Sequence, residues 1–168
     1  KILMHPTNPA ILFVVSNLGI HKTTNSGTSW TLVHSSSPYS YHDIEFKPND
    51  PTIMYCCAGT EFYRSTNTGD TWTQIFSGVP TTAGRMAVGV SPAADWYVYI
   101  FAGPSSVAGT FVGMYLSTNS GANFSTRSTT PNILGYSNIG NDDADQNSYD
   151  HCFAISRTGF SVNVFTFF

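Results

Sequence analysis

The sequence predicts an all-β fold of repeated four-stranded antiparallel units, and three observations carry that prediction. First, one turn occurs three times, as Thr23-Thr-Asn-Ser-Gly-Thr-Ser-Trp30, Ser65-Thr-Asn-Thr-Gly-Asp-Thr-Trp72 and Ser117-Thr-Asn-Ser-Gly-Ala-Asn-Phe124, with starts 42 and then 52 residues apart. A period of roughly 40–50 residues is in the range of β-propeller blades and other repeat arrays. Second, short runs rich in Val, Ile, Phe and Tyr alternate with Gly, Pro, Asn and Ser punctuation, the pattern of strands joined by tight turns. Third, no segment holds a helical apolar period beyond a single turn.

Each copy of the turn reads as a hairpin followed by the start of a strand. The Asn side chain can bond backbone N–H groups within the turn, and the Gly two residues later is free to take positive φ. The ring at the last position (Trp30, Trp72, Phe124) can anchor the outgoing strand in apolar surface. A second feature recurs ahead of each turn. Leu3-Met-His-Pro-Thr-Asn-Pro-Ala-Ile-Leu-Phe13 resembles Ile44-Glu-Phe-Lys-Pro-Asn-Asp-Pro-Thr-Ile-Met-Tyr55. Looser versions are Met86–Pro92 with Trp96–Phe101, and Cys152–Arg157 with Ser161–Phe167. Each is a strand, a Pro/Asn/Gly turn and a strand.

Assembled in order, the first unit spans about 1–34, the second 40–77 and the third 84–128, with a half unit at 149–168. For the second unit the strands fall near 42–48, 52–58, 61–66 and 71–76. About three and a half blades do not close a ring, because propellers need about four to eight. The expectation is a fragment of a longer protein, or copies that associate to complete the ring.

The repeated turn resembles the Asp-box, or bacterial neuraminidase repeat, written Ser/Thr-x-Asp-x-Gly-x-x-Trp. That repeat is found in sialidases, sortilin-type receptors, xyloglucan-cleaving glycosidases and many secreted bacterial propellers. All three copies here carry Asn (Asn25, Asn67, Asn119) in place of Asp, and the third carries Phe124 in place of Trp. The resemblance implies a structural role for Asn25, Gly27, Trp30, Asn67, Gly69, Trp72, Asn119, Gly121 and Phe124, on the face away from the usual ligand site. The Asn substitutions keep the turn's hydrogen bonds and remove any role that needs a negative charge.

Composition excludes other classes. Ten per cent of residues are charged, the net charge is −3, and seven Lys and Arg form no basic stripe, so a nucleic-acid partner is not expected. No apolar stretch is long enough to span a bilayer. Low charge with abundant Ser, Thr, Asn, Gly and Tyr suits a secreted or cell-surface β-protein. Cys56 and Cys57 are neighbours on one strand and should point to opposite faces as small buried hydrophobes. A bridge from either to Cys152 would have to join non-neighbouring blades. The sequon Asn123-Phe-Ser125 is a glycosylation candidate if the source glycosylates secreted proteins.

In propellers of this kind the ligand face carries the loops leading into each inner strand and the loops between second and third strands. The leading loops here end in Tyr41-His42-Asp43, Gly84-Arg85-Met86 and Tyr149-Asp150-His151. Tyr41, His42, Arg85, Tyr149, Asp150 and His151 are therefore the candidate ligand residues at the channel mouth. Tyr39, Trp96 and Tyr136 are further candidates for stacking on sugars. The stretch Asn141–Asn147 places Asp143, Asp145 and Asn147 at alternate positions, the opening spacing of many Ca²⁺ loops. Ser148 and Ala154 stand where an EF-hand needs Gly and Glu, so only a looser Ca²⁺ site is possible; no other cofactor is expected.

A sialidase needs an arginine cluster with a Tyr nucleophile and carboxylate partner. The four arginines (64, 85, 127, 157) fall on different strands, and the Arg-Ile-Pro motif that precedes sialidase boxes is absent. A xyloglucanase-like glycosidase would use two Asp residues, for which Asp43 and Asp150 are the catalytic candidates. The reading favoured by sequence is a noncatalytic extracellular propeller segment, a binding, adhesion or assembly module for glycans or proteins. The alternative is part of a secreted glycoside hydrolase with its active site on the loop face.

Overall fold

The computed structural model describes residues 1–35, 37–105, 109–143 and residue 155. Its strands are β1 (Ile2–Met4), β2 (Leu12–Ser16), β3 (Gly19–Thr23), β4 (Thr31–His34), β5 (Tyr41–Phe46) and β6 (Met54–Ala58), then β7 (Glu61–Ser65), β8 (Thr73–Ile75), β9 (Ala83–Val90), β10 (Val98–Pro104), β11 (Gly113–Ser117) and β12 (Ser125–Ser128). They form three four-stranded sheets, β1 to β4, β5 to β8 and β9 to β12, each in sequential order and antiparallel throughout. The chain is an all-β partial propeller of about three blades. The half unit expected at 149–168 lies, apart from residue 155, outside the described residues.

Strand alternation gives every blade two apolar faces, and neighbouring blades bury one against the other. Phe13, Val15 and Ile20 of the first blade pack on Ile44, Phe46, Met54, Cys56 and Tyr63 of the second. The next residues along those strands, Tyr55, Cys57 and Phe62, turn the other way and meet Met86, Val88, Val98 and Ile100 of the third. Cys56 and Cys57 thus serve two different interfaces, both fully buried as free thiols, and burial pushes both thiols well above the ordinary cysteine value. The far face of the third blade is covered by the segment after β12, whose Ile133 and Leu134 pack on Phe101, Phe111 and Met114.

The three repeated turns have one geometry. In each, the first hydroxyl donates to the Asn carbonyl oxygen at 2.8–2.9 Å (Thr23 to Asn25, Ser65 to Asn67, Ser117 to Asn119) and accepts the Gly N–H at 2.9–3.1 Å. The Asn oxygen then accepts the N–H four residues on, from Ser29, Thr71 and Asn123. Ser26, Thr68 and Ser120 all take positive φ together with the Gly that follows each. Two successive left-handed residues define a type I′ turn, closed in each copy by an N–H bond to the Asn backbone carbonyl, from Thr28, Asp70 and Ala122. The N–H groups of Ser26, Thr68 and Ser120 donate to Ala10, Thr52 and Trp96, in the loop between the first two strands of the same blade. Both of those loops therefore lie at one end of each blade, and the remaining loops lie at the other.

The turns also join blades. A Cβ on Gly69 would lie 2.5 Å from the Phe13 ring of the preceding blade, and one on Gly121 would lie 2.9 Å from Tyr55. Lys22, paired with Phe13 across β2 and β3, donates to the Thr68 carbonyl at 2.7 Å and to the Asp70 carboxylate at 2.7 Å. Arg64, paired with Tyr55, donates from Nε to the Ser120 carbonyl at 2.8 Å. One aromatic and one cation from each blade thus seat on the turn of the next. Tyr99 and Leu116 hold the corresponding places in the third blade.

Candidate functional site

The end of the blades opposite the repeated turns carries the loops leading into β5 and β9 and the turns after β2, β6 and β10. On this face the structure brings together His42, Asp43 and Arg85. Tyr41 and Asp43 oppose Ala58 and Cys57, so His42 is the extra residue of a β-bulge at the start of β5. His42 is half-buried; burial and the Arg85 guanidinium lower its pKa, against the pull of Asp43. Arg85 lies opposite Gly103 near the start of β9.

Asp43 is committed to holding blades together. One carboxylate oxygen accepts the Val88 N–H of β9 at 2.8 Å, and the other accepts the Lys1 ammonium at 2.7 Å and the Ile44 N–H at 3.0 Å. Its partners therefore come from all three blades. Lys1 also pairs with Glu45. Burial works against the Lys1 ammonium, and the two carboxylates outweigh it, so its pKa lies above the ordinary lysine value. Burial likewise raises Glu45. β9 is an inner strand with an unpaired edge, and a carboxylate is a suitable acceptor for one of its bare N–H groups.

Tyr41, expected at the channel mouth, is instead 3% exposed. Its ring packs edge-on to His34 and beside Tyr63, and its hydroxyl accepts the Ser37 N–H at 3.1 Å. The bulge in β5 explains this: it puts Tyr41 on the same face as Ile44 and Phe46, toward the first blade. Trp96 is exposed but lies at the opposite end, where its carbonyl accepts the Ser120 N–H. Tyr136 is exposed on the segment after β12. Asn123 is exposed within the third turn, and Asp143 is exposed beyond β12. Tyr149, Asp150, His151, Asp145 and Asn147 lie outside the described residues.

Sequence reasoning missed a cleft on the loop face. It has a volume of about 410 Å³ and is lined by Tyr39, Thr60, Thr81, Thr82, Ala83, Gly84 and Ser105. The lining comes from the loops leading into the second and third blades and the turns after β6 and β10. Single Thr and Ser residues in loops carry no periodic signal, and only Tyr39 stood out. Arginines do not converge among the described residues: Arg64 serves the turn end, Arg85 the loop face and Arg127 the outer strand β12.

No family model matches this sequence, and no curated protein does. Among solved structures, the chain is similar to an ancestral GH74 enzyme at TM-score 0.64 and 23% identity, over 76% of this chain and 18% of that one. It is similar to the GH74 enzyme of Niastella koreensis at 0.59 and 20%, over 75% and 20%. The GH74 xyloglucanase of Xanthomonas campestris follows at 0.57 and 17%, over 74% and 20%. These structures are β-propellers. The chain spans about a fifth of the length of each.

Proposed function

We propose that this chain is a segment of a larger extracellular β-propeller whose loop face binds glycans or proteins without cleaving them. The observation that carries the reading is the employment of Asp43. A general acid or nucleophile needs acceptor capacity free for the substrate, and three of the roughly four acceptor sites of the Asp43 carboxylate are taken by protein groups from three blades. The low charge and the polar, hydroxyl-rich loop face fit a binding surface exposed outside the cell. The open face of the first blade fits completion of the ring by further blades of the same chain or by a second copy.

The second reading, part of a secreted glycoside hydrolase, is favoured by the likeness to GH74 structures, one of them named a xyloglucanase. Binding on a glycan array, measured beside release of reducing sugar or sialic acid, separates the two. The binding reading expects retention without release. Release that is lost in Asp43→Ala or Asp150→Ala, with the variants still folded, sinks it.

A further inference from the structure

We infer that the cleft between the second and third blades is a subsite for an uncharged, polyhydroxylated ligand, a neutral sugar chain, with the Tyr39 ring as its stacking platform. The inference rests on the loop-face reading above and narrows it to one place and one ligand class.

Three observations converge on the cleft. Tyr39 is seated rather than loose: a Cβ on Gly59 would lie 2.5 Å from Tyr39 Cγ and 2.8 Å from its Cδ1. The ring therefore rests directly on the Gly59 backbone, which takes φ of +55°. The Tyr39 N–H donates to Ser37 Oγ at 3.0 Å, which fixes the loop behind the ring. Tyr39 is nonetheless 44% exposed and lines the cleft. An aromatic ring backed by glycine and open to solvent is a preformed apolar surface that loses little entropy on binding.

Among the described residues, the rest of the lining supplies hydroxyls and no charge. Thr60, Thr81, Thr82 and Ser105 each offer a group that both donates and accepts. Among the described residues, no Asp, Glu, Lys, Arg or His lines the cleft. Gly84 sits tight against the backbone around Ser105, so its lack of a side chain lets the two strands' ends close the floor. A sugar ring has an apolar C–H face for the aromatic and a rim of hydroxyls for the threonines. An anionic ligand would find no counter-ion among these residues and would be drawn to Arg85 instead. The volume of about 410 Å³ falls in the range of small-ligand pockets.

Titration calorimetry of the whole chain with cellohexaose, xylohexaose, mannohexaose and the acidic hexagalacturonate tests this. At least one neutral oligosaccharide is expected to bind, to weaken at least tenfold in Tyr39→Ala, and to recover in Tyr39→Trp. Thr82→Val, which keeps the shape and removes a hydroxyl, should weaken it several-fold. Unchanged thermal melts of these exposed-loop variants keep misfolding apart from lost contact. Binding that survives Tyr39→Ala but disappears in Arg85→Ala, or that is confined to hexagalacturonate, overturns the subsite and leaves the loop-face reading standing. Failure of every neutral oligosaccharide to bind overturns the subsite; if the glycan array is also silent, the glycan form of the wider reading falls with it.

Discussion

Asn25 and Asn67 each use both ends of the amide. The oxygen holds the turn, and the NH₂ donates to the hydroxyl four residues on, to Ser29 Oγ and Thr71 Oγ1, both at 2.9 Å. Asp could keep the first role, and the hydroxyl could then turn and donate to its second oxygen. Asn67→Asp should therefore change stability by less than about 1 kcal/mol, the size of a typical net hydrogen bond. Asn67→Ala strands the Ser65 hydroxyl and the Thr71 N–H and should cost about 1–3 kcal/mol; urea unfolding measures both. Histidines set a pH dependence. Burial lowers the pKa of His34 and, with Arg85, of His42. The unfolded chain then takes up protons first as pH drops below about 6.5, so stability should fall from there through the folded values. Glu45, raised by burial, works in the opposite sense as pH rises above its ordinary value. His42→Asn isolates the histidine part: a shallower loss of urea midpoint between pH 7.5 and 5.5 is expected.

At the scale of turns and strands, the turn glycine does two jobs that can be separated. Gly27 and Gly69 both take positive φ, which costs a side chain about 1–2 kcal/mol. Of these two, Gly69 alone also faces the ring of a preceding blade; among the described residues, the nearest atom to a Cβ on Gly27 is 3.8 Å away. Gly69→Ala should thus exceed Gly27→Ala by an overpacking cost of about 1–3 kcal/mol, read as a difference in thermal or urea midpoint. Arg64→Met should be destabilising by about 1–3 kcal/mol, because it leaves the Ser120 carbonyl without its donor. Much of this level was legible in the sequence. The second unit's strands were expected near 42–48, 52–58, 61–66 and 71–76 and run over 41–46, 54–58, 61–65 and 73–75. Turn chemistry is local, and Asn-x-Gly spacing with β-branched flanks specifies it without help. The positive φ of Ser26, Thr68 and Ser120 was not legible, since only the I′ geometry demands it. Nor were the pairings of Lys22 with Thr68 or Asp43 with Val88, which join residues more than forty positions apart. Tyr41 failed for the same reason: its register, not its type, points it into an interface.

For the whole molecule, the burial of the ring that ends each turn follows the presence of a preceding blade. Phe124 is buried against Phe62 of the second blade, and Trp72 is half-buried against the first. Trp30, with no described blade ahead of it, is 41% exposed, and Leu32, Ile2 and Met4 are exposed with it. Ile2 and Met4 pair with Val14 and Leu12 on the face of the first blade turned away from the second. That face has the character of a blade interface with no occupant among the described residues, and the two internal interfaces state what fits: an aromatic for the Gly27 slot and a cation for the Ser26 carbonyl. The most direct measurement adds such an occupant. Residues 1–40 are duplicated ahead of Lys1, with the copy's own Trp changed to Phe and with Trp72→Phe and Trp96→Phe in the chain, and acrylamide quenching of Trp30 fluorescence is recorded. Blade docking predicts a blue shift and strong protection of Trp30, both lost when the copy's Lys22 is changed to Leu. Unchanged quenching in a folded tandem chain would contradict the docking scheme and, with it, the reading of this molecule as successive propeller blades.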